Sequence, residues 1–354
     1  MVVSVLADFY DELKDGAKLC VMTVPRLELD EKIDAIEGFI FYPSSQLDLE
    51  ELHCVWVPVD EFAKTMARDG GVVEAEGSDL EWFKCAASQI NLDYFRKFAL
   101  VAFATPVNWD VFLSGDHGFH CALLREMSEH AETALDLLRF DFCRLHLPDT
   151  LPGRAGTFDF DSPYTGALFY TLEDNESYIV GGQVTTHHIV AGLGLEVSSP
   201  SMTSQIGRGE TGNVARRALS LYSAAMESGS LTAKFVQCMS LLDFLAYPDD
   251  YKPMSKAKRR IAAHVANTSD EFQAVLNDVE RFTHFMDADG RQIGIRTCIV
   301  HQGKRFEDLV PEKQAQDAIF NRLEHFIGKT ISDLIALSDE PWSKVQEFRE
   351  CRNW

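Results

Sequence analysis

The residues best suited to chemistry are Arg296 and His301 in the run Arg296-Thr297-Cys298-Ile299-Val300-His301, which Gln302-Gly303 closes. Histidine titrates near neutrality and can accept or deliver a proton. Arginine stays charged and grips phosphate oxygens with a planar fork. A proton carrier beside a fixed positive charge is what a reacting phosphate requires. Helical geometry limits their cooperation, because five residues at about 100° each set the two side chains about 140° apart. A structural role fits the same residues: Arg296 pairing with an acid at a bundle end, and His301 bonding a carbonyl at a helix C-terminus. The spacing alone arises readily by chance.

The dense positive cluster of the chain is KPMSKAKRR, Lys252 to Arg260. Its Lys256, Lys258, Arg259 and Arg260, with Thr297 beside the arginine, are the candidates for holding a substrate phosphate. A solvated basic helix face is the alternative. Other candidates are weaker. His117, His120 and Cys121 lie close together, His187 and His188 adjoin, and His53 precedes Cys54. A zinc site needs about four ligands at interpretable spacing and no second half is visible, so no metal site and no cofactor are assigned. The acidic stretches Asp48 to Glu51 and 74–81 read as solvated surface. GLGLE (192–196) and IGRGETG (206–212) lack the strand-before, helix-after setting of a phosphate-binding fingerprint, and there is no nucleophile elbow or Walker lysine.

The elements that must position these residues follow two grammars. Up to about residue 200, short β-branched and aromatic runs recur between turn signals: Leu19–Val24, Gly38–Tyr42, His53–Val59 and Phe98–Thr105. GALFYTLEDNESYIVGGQV is a hairpin around Asp174-Asn175. One helix interrupts them, with Leu123, Met127, Ala131, Ala134, Leu135 and Leu138 on one stripe, and LPDTLPGRAG (147–156) is a loop. After the polar, Gly-rich joint 204–213, the sequence turns helical. Asn213 caps a helix running to about Glu227, and Ser230 caps another bearing Leu231, Phe235, Cys238, Leu242 and Leu245. Thr268 and Glu271 form a capping box before Phe272, Val275, Leu276, Val279 and Phe282. Gly290 and Gly303 bracket the short helix that carries Arg296 and His301. Pro311 opens the last long helix, with Ile319, Leu323, Phe326, Ile327, Ile331, Leu334 and Ile335. The fold class is α+β, with a mixed α/β domain over 1–204 and an all-α bundle of five or six helices over 205–354.

Length and composition suit this division. The chain has 354 residues, 46% hydrophobic and 25% charged, which excludes a disordered or disulfide-stapled miniprotein. Its longest apolar runs are too short for the roughly 20 residues that a membrane helix needs. The first ten residues lack a signal peptide's positive start, and eight scattered cysteines without a Cys-x-x-Cys pair suit a reducing compartment, so a soluble, cytoplasmic protein is expected. Of the net charge of −22, residues 1–200 carry −21 and residues 201–354 carry −1. Whole-protein steering to nucleic acid is therefore not expected, and any such contact must be local to the second half.

The order FVQCMSLLDFLAY (235–247), KAKRRIAAHV (256–265), GIRTCIVHQG (294–303) resembles the HEPN family, and its Apea-like branch in particular, over about residues 213–337. The family's Arg-x4–6-His motif matches Arg296 and His301. The resemblance implies a metal-independent endoribonuclease, with His301 carrying the proton and Arg296 stabilising the transition state, and a 2′,3′-cyclic phosphate as product. It also implies a homodimer that brings two motifs to one cleft, RNA as substrate, and service as a toxin or antiviral-defence effector. Under that reading, the acidic N-terminal domain senses a trigger or restrains the nuclease. Thr297 departs from the Asn, Asp or His that commonly follows the arginine in active members. A catalytically inactive HEPN-like dimerisation or partner-binding protein is the alternative, and an enzyme sited in the N-terminal domain is a third reading.

Overall fold

The computed structural model of the protein describes residues 4–36, 38–52, 54–55, 92–115, 117–145, 147, 150–157, 164–183, 194–197, 205–250 and 252–352. The chain divides into two compact units. One holds residues 1–135 and 149–203; the other holds 136–148 and 204–354. The second unit therefore takes a short piece of chain from well before residue 205.

In the first unit, helices α1 (Val5–Asp8) and α2 (Tyr10–Lys14) precede strands β1 (Lys18–Val24), β2 (Leu27–Leu29), β3 (Ile33–Ile36), β4 (Phe39–Tyr42) and β5 (Cys54–Val55). Helix α3 (Leu92–Phe95), strand β6 (Ala99–Thr105), and helices α4 (Trp109–Ser114) and α5 (His117–Phe142) follow, the last passing into the second unit at residue 136. Strands β7 (Tyr164–Thr171), β8 (Glu176–Gln183) and β9 (Leu195–Val197) complete it. Among the described residues, seven strands form one sheet in the order β3-β4-β6-β1-β7-β8-β5, antiparallel except for β5 against β8. β2 and β9 pair in parallel apart from it.

Every residue of β1 is buried, the mark of a strand covered on both faces. One face of the sheet (Leu19, Val21, Ile40, Ala102, Leu168) packs with Phe9 and Leu13 of the N-terminal helices. On the other, Phe39 and Phe103 meet the His130 ring of α5 edge-on. The α5 stripe is buried as expected at Met127, Ala131, Ala134, Leu135 and Leu138, and differs at its start, where Leu124 is buried and Leu123 only partly so. The expected hairpin forms, with Asn175 in the left-handed region at its turn. His53, His187, His188 and the acidic stretch 74–81 lie outside the described residues.

The second unit is helical. After residues 136–148 it comprises α6 (Glu210–Glu227), α7 (Leu231–Ala246), α8 (Met254–Val265), α9 (Ser269–Thr283), α10 (Ile295–Gln302), α11 (Phe306–Leu309), α12 (Lys313–Ala336) and α13 (Trp342–Glu350). These eight described helices exceed the five or six expected, because α11 and α13 are too short to show a readable apolar stripe. Helix α6 starts at Glu210 rather than after Asn213. The Gly-rich run before it is not a free joint: Gly207 N–H donates to Ser338 Oγ and Gly212 N–H to Ser338 O, which fixes the start of α6 on the end of α12.

Ser230 and Thr268 cap α7 and α9 as expected. Glu271 reaches the N–H of Asn267 rather than that of the cap residue. Residues 291–294 form the return limb of a turn, so α10 is only eight residues long. Phe306 (0% exposed) stacks on Phe235 and contacts Phe320, joining α7, α11 and α12. Residues 136–148 complete this unit: buried Lys234 donates to Leu145 O at 2.9 Å, and Arg139 lies against Asp136 and Glu227.

A polar chain runs through the bundle. Arg349 (1% exposed) donates from Nε to His264 Nδ1, and from its terminal nitrogens to Ala246 O and Leu245 O. These carbonyls close α7 and have no partner within the helix. Since Arg349 can only donate, His264 Nδ1 carries no proton and the neutral ring holds its hydrogen on Nε2, 3.2 Å from Asp333 Oδ2. That contact is electrostatic rather than a well-aligned hydrogen bond. Burial drives the His264 pKa down to about 4, the Asp333 contact only partly opposing it.

The unfolded chain, with an ordinary histidine near 6.5, binds this proton more readily than the folded one. Stability from His264 is therefore complete above about pH 6.5 and falls as the pH drops toward about 4, by about 3 kcal/mol in all. Urea denaturation at several pH values should show this slope in the wild type and a shallower one in His264→Gln.

Candidate functional site

Helix α10 is held at both ends by local devices that the sequence explains. At its start, a side chain on Gly294 would collide with the Thr283 carbonyl, so only glycine lets the backbone approach the end of α9. Thr297 donates its hydroxyl proton to that same Thr283 carbonyl, and the Cys298 thiol faces Gln292 O. At its end, Gly303 sits in the left-handed region (φ 67°) and donates to Ile299 O. This is the glycine-ended cap that His-Gln-Gly suggested.

Within this frame, Arg296 and His301 behave differently. Arg296 Nη1 contacts Asp243 Oδ2 of α7 at 2.9 Å, and both side chains are only partly exposed. Burial raises the Asp243 pKa and the Arg296 charge opposes the rise. The other carboxylate oxygen, Asp243 Oδ1, is buried without a hydrogen bond among the described residues. The pairing with an acid at the bundle end is thus present. His301, in contrast, is exposed and makes no hydrogen bond or ion pair among the described residues. The alternative role, a bond from its ring to a terminal carbonyl, is not found among the described residues, and Gly303 and Lys304 bond the carbonyls there. Beside His301, Val300 is 53% exposed, and Phe285, Met286 and Ile293 are exposed on the turn that leads into α10.

The four basic candidates separate. Lys256, Arg259 and Arg260 share one face of α8 and line a groove of about 300 Å³ with Tyr247, Arg349 and Glu350. Lys258 turns away and pairs with Glu280 at 3.2 Å. Asp243 and Tyr247 stand one turn apart at the end of α7, about 6 Å along its axis. The depression they share carries Asp249 and Asp250, which pair with Arg217 and Lys252. The basic face therefore does not run as unbroken positive charge to Arg296. Sequence reasoning missed Asp243, Tyr247 and Arg349, which only their distant partners single out.

Elsewhere, His120 Nε2 donates to Phe112 O at 2.9 Å, as a structural histidine does, and burial raises the Cys121 pKa. No group of three or more His, Cys, Asp or Glu side chains among the described residues is arranged to hold a metal ion. No helix among them is long and apolar enough to cross a membrane.

Arg296→Ala should leave the Asp243 carboxylate half-buried and without its cation, costing about 1–2 kcal/mol in urea denaturation. Adding Asp243→Asn should recover most of that loss.

No family model, no curated protein and no solved structure matches this chain.

Proposed function

We propose that the helical unit is a metal-independent endoribonuclease of HEPN type, working as a homodimer in which Arg296 and His301 serve the reaction. The observation that carries this reading is the contrast on α10: His301 is exposed and makes no hydrogen bond or ion pair among the described residues, while Arg296 is held in place by Asp243. His301 takes the proton of the RNA 2′-hydroxyl, whose oxygen attacks the adjacent phosphorus. The bond from phosphorus to the 5′-oxygen breaks and that oxygen takes up the proton His301 now carries, giving a 2′,3′-cyclic phosphate and a 5′-hydroxyl. Arg296 steadies the charge on the phosphoryl oxygens.

Because the two side chains diverge by about 140° on one helix, a second copy supplies the facing pair. The exposed Val300 beside His301, with Phe285, Met286 and Ile293 on the turn that leads into α10, gives that copy apolar surface to cover. The first unit, in the half of the chain that carries −21, acts as sensor or restraint, and the whole serves as a toxin or defence effector in the cytoplasm.

A second reading, an inactive HEPN-like dimerisation or partner-binding protein, is favoured by one observation. Thr297 spends its proton on Thr283 O, and Arg296 already has a carboxylate partner, so both are occupied structurally.

The test is RNA cleavage by the full-length protein in EDTA. His301→Ala changes an exposed residue and should retain wild-type stability while losing about 100-fold or more in rate. Arg296→Lys should also lose activity while keeping a charge near Asp243. Equal cleavage by His301→Ala and wild type overturns the nuclease reading; dimerisation without any cleavage supports the second reading. Val300→Asp should shift the dimer toward monomer in light scattering after gel filtration, with helical content unchanged.

A further inference from the structure

The groove on the outer face of α8 has an unusual charge balance. Its lining sets four cations, Lys256, Arg259, Arg260 and Arg349, against one carboxylate, Glu350, around about 300 Å³. Three of the four stand at positions i, i+3 and i+4 of α8, and Ala263, one turn further, leaves space beneath them. This concentration occurs in a chain of net charge −22, so the groove is a local reversal of sign that focuses anions.

Arg349 makes the imbalance more than a surface accident. It is 1% exposed, and its three hydrogen bonds go to a neutral imidazole and two carbonyls. None of these partners carries a countercharge, and three of its five N–H protons are committed. The carboxylate in the lining, Glu350, lies 3.5 Å from Arg260 with a mostly exposed side chain. A buried cation without a nearby anion is costly. Burial lowers the proton affinity of Arg349, and the like charge of Arg260 lowers it further. An oxyanion in the groove relieves both effects at once.

We propose that this groove is an anion site for the phosphate group of a small phosphorylated ligand, with Lys256, Arg259 and Arg260 gripping its oxygens over the buried charge of Arg349. Guanidinium forks match phosphate geometry, and the volume is that of a small-molecule site rather than a polymer channel. The phosphate belongs to a free nucleotide or to the 5′-phosphorylated end of an RNA strand, which present the same chemistry. The site does not depend on Arg296 or His301, so its fate is separate from that of the nuclease reading.

Full-length His301→Ala protein, which cannot confuse binding with turnover, is titrated with inorganic phosphate and pyrophosphate at constant ionic strength. Thermal unfolding and calorimetry should show saturable binding that chloride does not reproduce. Lys256→Ala/Arg260→Ala should weaken it by about tenfold or more, while Lys258→Ala, outside the groove, should leave it unchanged. Circular dichroism checks that each variant is folded. Adenosine monophosphate and 5′-phosphorylated or 5′-hydroxyl oligoribonucleotides then identify the source: tight binding of the mononucleotide assigns a free ligand, and a preference for the 5′-phosphorylated strand assigns an RNA end. No saturable binding of any of these probes, or equal binding by the groove variant and its parent, overturns the proposal.

Discussion

The bundle of the second unit depends on the guanidinium of Arg349. From the last helix it satisfies the terminal carbonyls Leu245 and Ala246 of α7, and through Nε it orders the His264 ring of α8. His264 in turn faces Asp333 on α12, which Lys329 also contacts. Four helices are thereby tied by one chain of polar groups, each able to bond only while the others hold their places. Such a chain stabilises little by its own strength, because burying charge costs nearly as much as pairing it returns. What it supplies is geometry: Arg349 sets α13 against the end of α7 and the His264 ring, and the cationic groove lies where it docks.

The same economy of contacts shapes α10. Eight residues are too few for a stable isolated helix, so tertiary fastening must supply the order. Gly294 and Thr297 fasten its start to the end of α9, Gly303 ends it, and Cys298 and Ile299 bury its inner face. Of the two candidate residues, Arg296 is partly exposed and bound to Asp243, and His301 is exposed and bound to nothing among the described residues. The asymmetry distinguishes a positioned charge from an exposed imidazole, so stability depends on the contacts of the first and not on those of the second.

The two units are built on different physics. In the first, a central strand buried over all seven residues organises a sheet covered on both faces, and the pairing of β1 with β6 and β7 joins segments far apart in sequence. In the second, neighbouring helices pack as hairpins, the buried apolar face of α12 packs back on α6, α7 and α8, and polar side chains and a ring cluster at Phe306 join further distant segments.

Period and capping were readable from the residues alone. Strands β1, β4 and β6, the hairpin of β7 and β8, the caps Ser230 and Thr268, and the apolar faces of α9 and α12 all follow from rules that act within a few residues. So does the glycine end of α10, because a left-handed terminal residue is a local requirement. The basic run was readable as a cluster but not as a site. Helical geometry alone groups Lys256, Arg259 and Arg260, but only folding adds Tyr247 and Arg349, and only Glu280 draws Lys258 away. Asp243 looked like any polar residue at a helix end until Arg296 was set against it from 53 positions away. Residues 136–148 fall within the N-terminal domain as the sequence divides the chain, yet Leu145 O serves Lys234. In each case the deciding interaction joins groups separated by tens of residues, and burial gives it its energy; local sequence fixes which side chains are offered, and tertiary structure fixes which of them meet.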